Sequence, residues 1–234
     1  EHAASMYELA QLYFERADYS TAARFAENAA VIEPNNKWYK LLLVEIYGKS
    51  NSVRELVDIC KELVKIDPKS ADYQYELANA YLLANDGINA LKTFDRIEEI
   101  MGTTEEISMQ KQRILLIMKK PEQAAGEIEK LIVAFPDEKS KYLSLIAEMY
   151  MQLNKPDEAA VYYEKIKQSD PENPYIHISL SDYYTKKGET GKAFEEMKLG
   201  FLNPALDIDT KIRVLLTYFI DIQAFEKNKT QIFE

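Results

Sequence analysis

His2, His177 and Cys60 are the whole imidazole and thiol stock of the chain. A zinc site takes four such ligands at short, recognisable spacings, and these three residues have no such spacing. A Ser/His/Asp relay would have to use His177 on a helix where nothing orients it. His177 reads instead as a half-buried structural residue, and Cys60 as a buried, inert thiol at a core place. No Gly-rich phosphate loop, HExxH or GxSxG pattern occurs. Glu98–Glu99, Glu105–Glu106 and Glu195–Glu196 are adjacent on helices and so cannot face each other as a carboxylate pair would need. These observations imply a protein that is not an enzyme and uses neither metal nor cofactor.

The bulk properties narrow the partners. Lys and Arg number 29 against 39 Asp and Glu, so the net charge is 29 − 39 = −10. Duplex nucleic acid and anionic membrane surfaces are attracted by clustered Lys and Arg, and no basic run is present. With one Cys, no intramolecular disulfide can form. That suits the cytosol, and equally an envelope or periplasmic protein whose leader has been removed. No apolar run approaches the roughly 18 residues of a membrane span. Gly is scarce at 7 and Tyr abundant at 16, which points to packed helices rather than Gly-rich loops.

The chain is phased by its prolines. Pro34, Pro68, Gly102, Pro136, Pro171 and Pro204 recur at 33 to 35 residues, where proline cannot continue a preceding helix. Between them the same residue types return at helical spacing. They run Leu9, Ala10, Tyr13; Leu43, Val44, Tyr47; Leu77, Ala78, Tyr81; Ile146, Ala147, Tyr150; and Leu180, Ser181, Tyr184. The small residue lets two helix backbones approach, and the Tyr fills the space beside them. Second helices follow with Ala22 and Ala29, Leu56 and Cys60, Ala90 and Phe94, Ala124 and Ile128, Ala159 and Tyr163, and Ala193 and Met197. Asn51, Asn85, Asn154 and Gly188 share one offset, where a left-handed residue should end the first helix. Ser52 and Asp86 are the expected N-caps, and Pro121 and Pro156 the expected first-turn prolines.

Six helix pairs are expected, over residues 3–36, 37–70, 71–104, 105–138, 140–173 and 174–207, with a partial seventh at 208–234. Together they would form a single solenoid over 1–234. The fourth pair departs from the pattern: Lys111 and Gln112 replace Leu and Ala, Leu115 replaces Tyr, and Gly126 interrupts the second helix. Weaker packing and easier opening are expected there. The seventh first helix should span about Ile208–Phe225 and leave Leu216 and Phe219 without a following helix. Neither end carries a polar cap, which suggests a fragment of a longer protein.

These motifs resemble the tetratricopeptide repeat family, from Ala3 to about Phe225. The family's Trp place holds Met6, Lys40, Gln74, Ser108, Leu143 and His177, and the lone Trp38 lies elsewhere. The resemblance implies an all-α, right-handed superhelical solenoid of antiparallel helix pairs, whose first helices line a concave groove for an extended peptide or partner helix. Clamping of a C-terminal carboxylate, known in one subgroup, is not implied. Its places hold Tyr7, Gln11, Leu42, Asp72 and Glu76, and the two acids would repel that ligand.

The groove places read from the family phase are Tyr7, Gln11, Trp38, Glu45, Asp72, Tyr75, Glu76, Asn79, Arg113, Glu148, Tyr175 and Asp182, with Phe14, Met109 and Lys141 beside them. Aromatic residues mixed with acids are typical of a recognition face. With Glu8 and Glu15 included, acids exceed the bases Arg113 and Lys141. The expected partner is therefore a protein or peptide that is basic and partly apolar, held mainly over the first three pairs. End-to-end self-association is a further expectation. The function implied is an interaction scaffold or adaptor. The alternative is a sensory or regulatory segment of a longer multidomain signalling protein.

Overall fold

A computed structural model describes residues 2–170 and 173–220, with the backbone alone for 217–220. Among these residues there are thirteen α-helices and no strand. They are α1 (His2–Glu15), α2 (Tyr19–Ile32), α3 (Lys37–Lys49), α4 (Val53–Ile66), α5 (Ala71–Leu83), α6 (Gly87–Met101), α7 (Glu105–Ile117), α8 (Pro121–Ala134), α9 (Lys139–Gln152), α10 (Pro156–Ser169), α11 (Pro174–Lys186), α12 (Thr190–Leu202) and α13 (Ile208–Ile220). The last helix was expected to reach Phe225, and its end lies outside the described residues, as does Phe219's side chain. The chain divides into two compact units at Lys130/Leu131, within α8.

Caps and left-handed turns bound many of the helices. Asp18, Asn36, Ser70, Asp86, Thr104 and Asn173 accept hydrogen bonds from backbone N–H groups in the first turns of α2, α3, α5, α6, α7 and α11. Ser52 precedes α4 but does not cap it. Its hydroxyl lies 2.9 Å from that of Ser50 instead, so the expected cap is corrected. First helices end alike, in a left-handed residue: Ala17, Asn51, Asn85, Lys119, Asn154 and Gly188 all have φ between 56° and 73°. The next N–H then reaches back five residues, from Asp18 to Tyr13, Ser52 to Tyr47, Asp86 to Tyr81, Lys120 to Leu115, Lys155 to Tyr150 and Glu189 to Tyr184, at 2.8–3.0 Å. This is the Schellman closure, which satisfies carbonyls that the helix leaves open. Ala17 and Lys119 occupy the same place as the Asn and Gly residues, although neither type signals a turn.

In the first unit, Ala10, Ala22, Ala26, Leu43, Val44, Leu56, Cys60 and Leu63 form one core, and Ala78, Ala90, Phe94, Ile97 and Ile107 the next. Leu9, expected on the packed face, is 39% exposed. In the second unit Ile146, Ala147, Tyr150, Ala159, Tyr163, Leu180 and Ala193 are buried in the same pattern. The step from Pro136 to Pro171 is one residue longer than that from Pro34 to Pro68, and a 3-10 turn at Pro136–Glu138 opens it.

Lys111 itself is not the packing defect that its place in the repeat suggested. Only 2% of its side chain is exposed, and its ammonium lies 2.6 Å from Asp95, 2.9 Å from Glu98 and 3.0 Å from Glu127. Lys130 closes the network at 3.2 Å from Glu98 and 3.0 Å from Glu127. Burial opposes the charge on Lys111, but the hydrogen bonds to Asp95 and Glu98 outweigh it and raise its pKa. One ammonium thus joins α6, α7 and α8.

Candidate binding groove

In α1, α3 and α5, residues three and four apart share a face. Tyr7, Gln11 and Phe14 on α1, Trp38, Leu41 and Glu45 on α3, and Glu76 on α5 line a common groove of about 470 Å³, with Glu15 at its edge. The structure therefore brings together five of the sequence-expected residues: Tyr7, Gln11, Trp38, Glu45 and Glu76. Trp38 is 59% exposed, and the Lys37 ammonium stands 5.1 Å from its ring centre. Tyr7 is half-buried and packs on Tyr39 with ring centres 5.1 Å apart. Asn36 holds the start of α3, accepting a bond from the Trp38 N–H at 3.1 Å.

The electrostatics of this groove are acidic. Glu76 is held above its ordinary carboxylate range, first by desolvation and then by the charges of Glu45 and Asp72. Asp72 thus belongs to the same field, although it does not line the groove. Asn79 is exposed on α5 and Arg113 on α7. Tyr75 is half-buried, its ring edge-on to Phe94 with centres 6.2 Å apart, so part of it serves the core.

The remaining expected residues lie in the second unit. Glu148 and Asp182 both face Tyr163, whose pKa is raised first by burial and then by those two charges. Tyr175 is exposed and donates its hydroxyl proton to Asp207 at 3.0 Å. His177 meets Glu196 at 2.7 Å between Nδ1 and Oε2, in the structural setting expected of it. Cys60 is fully buried, and burial followed by Glu76's charge pushes its thiol up to about 12. No group of three or more His, Cys, Asp or Glu able to hold a metal occurs among the described residues.

Sequence reasoning missed Leu41 as a groove residue, because its place in the repeat is not a marked one. It also missed a larger groove on the other side of α5, lined by Gln74, Leu77 and Tyr81. Spacing could have found that one, since 74, 77 and 81 fall on a single helix face.

No family model matches the sequence, and no curated protein matches it. Solved structures do. One is Naa15/Naa10 bound to HypK-THB, at 13% identity and TM-score 0.55, covering 98% of this chain and 36% of that one. A tetratricopeptide repeat protein from Parabacteroides merdae matches at 12% identity over 92% of this chain and 97% of its own, with TM-score 0.48. MamA matches at 16% identity, TM-score 0.46, over 69% and 87%. The first of these likenesses, at TM-score 0.55, concerns the fold alone, and the thirteen described helices and their recurring turns give that fold as tetratricopeptide-type helix pairs. The described residues contain no helix long and apolar enough to cross a membrane.

Proposed function

We propose that this chain is a non-enzymatic interaction scaffold that holds a basic, partly apolar peptide segment in the groove built by α1, α3 and α5. One observation carries the reading: aromatic faces and carboxylates line the same open cavity. Tyr7, Phe14 and Trp38 supply apolar surface, while Glu15, Glu45 and Glu76 supply charge. A peptide Lys or Arg would replace Lys37 over the Trp38 ring and meet Glu45 or Glu76, combining a cation–π contact with an ion pair. Gln11 is placed to hydrogen-bond an extended peptide backbone. Asp72, Tyr75, Asn79 and Arg113 extend the recognition face along α5 and α7, and Glu148, Tyr175 and Asp182 provide the corresponding places of the second unit.

Trp38 is the only Trp, so it reports on this groove by itself. A short peptide alternating Lys and Leu should saturate a blue shift of Trp38 emission. The midpoint should move to higher peptide concentration as salt rises from 0.1 M, where the Debye length is about 10 Å, to 1 M, where it is about 3 Å. Calorimetric binding with no change at Trp38 would contradict the assignment to this groove.

A further inference from the structure

We infer that the opposite side of α5 is a second interaction surface, which takes an acidic, partly apolar peptide segment. On a helix of 3.6 residues per turn, Asp72, Glu76 and Asn79 point one way, while Gln74, Leu77 and Tyr81 point nearly the reverse way. The first set faces the acidic side. The second set floors a cleft of about 1060 Å³ bounded by the end of α4, the turn before α5, and α6. That volume lies at the upper end of the roughly 300–1,000 Å³ of small-molecule sites, and the open cleft has room for a stretch of polypeptide.

The rim of this cleft is basic in a chain of net charge −10. Lys69 stands on one bank, and Lys92 and Arg96 on the other. The two acids that also line it are already engaged: Asp95 with Lys111 at 2.6 Å and Glu99 with Arg96 at 2.6 Å. Lys69 and Lys92 are exposed and form no ion pair among the described residues. The lining thus carries three bases, Lys69, Lys92 and Arg96, against two acids, Asp95 and Glu99, an excess of one positive charge. Ile100, 39% exposed, and the half-buried Val64 give apolar side chains of the incoming segment a place to settle, above the buried Leu77. A concave surface of one sign concentrates partners of the other sign. The two sides of α5 thus select opposite charges, and two different segments can be held on either side of one helix at once.

The test uses a short fluorescein-labelled peptide alternating Glu and Leu, read by polarisation against the whole chain and two variants. Lys69→Glu with Lys92→Glu reverses the exposed rim and leaves the core untouched. Glu45→Lys, Asp72→Lys and Glu76→Lys together reverse the other side. The acidic peptide should bind the parent, lose at least about tenfold in affinity to the first variant, and bind the second as well as the parent or better. Far-UV circular dichroism confirms that both variants keep their helices. Absence of binding by the parent, or equal binding by the Lys69/Lys92 variant, would overturn the inference. So would concentration-dependent self-association of the parent abolished by that same variant, which would make a second copy the occupant. None of these outcomes bears on the basic peptide, which binds the other side of α5.

Discussion

Lys119 holds a left-handed backbone, φ 58°, at a place where Asn or Gly stands in four other turns. A side chain with a Cβ costs roughly 1–2 kcal/mol in that conformation. Lys119→Gly should therefore raise stability by about 1 kcal/mol after Gly's greater unfolded-state entropy is subtracted, as read by urea unfolding. Gly126 behaves oppositely. A Cβ there would meet nothing within 4 Å, so Gly126→Ala should add about 1 kcal/mol through helix propensity. Glu76 gives a prediction in pH. Its folded pKa is raised above 4.5, so ionisation is less favourable in the folded chain than in the unfolded one. The penalty is present above the folded pKa and disappears as pH falls below 4.5. Glu76→Gln should thus raise the melting temperature at pH 7 and leave it nearly unchanged at pH 4. The acid excess around Glu45, Asp72 and Glu76 was legible from sequence, because the repeat phase implied by the resemblance places those residues. The cost of gathering them was not, since it depends on the approach of α3 to α5.

At the scale of helices, periodicity and turn chemistry made the pairs readable. Small residues at Ala10, Ala78 and Ala147 mark the close approaches, and all three are fully buried. What spacing could not show was Lys111. A lysine at a packed place reads as a defect until α6 and α8 bring Asp95, Glu98 and Glu127 around it. Lys40 shows the same device: it is buried and pairs with Glu62 across α3 and α4. Removing one member of a buried ion pair leaves its partner's charge uncompensated, at about 3–5 kcal/mol. Lys111→Met should cost about 3 kcal/mol, near the lower limit, because Lys130 still serves Glu98 and Glu127. A neutral effect in urea unfolding would show that the network adds nothing. Glu98 fixes the pH dependence. Burial pulls its pKa up, but hydrogen bonds from Lys111 and Lys130 prevail and hold it below the ordinary value. Its contribution to stability is present above pH 4.5 and is lost as pH falls through that depressed value. Lys111→Met should therefore narrow the stability difference between neutral and acid pH.

At the scale of the whole molecule, the net charge of −10 is unevenly spread, and the proposed recognition rests on its distribution around α5. Helix pairs of this kind supply rigid faces, and the side chains that happen to occupy those faces set the partner. The sequence carried the register of the faces, because repeat spacing and helix period are local. It did not carry which faces open into cavities, because that depends on how α1, α3, α4, α5 and α6 pack. The groove of α1, α3 and α5 is proposed to select a basic segment. Its most direct test is the affinity of the Lys/Leu peptide for the triple variant Glu45→Lys, Asp72→Lys, Glu76→Lys, measured by calorimetry at low salt after circular dichroism has shown the helices intact. Affinity should fall at least about tenfold, or about 1.4 kcal/mol. Unchanged affinity in a folded variant would contradict the claim.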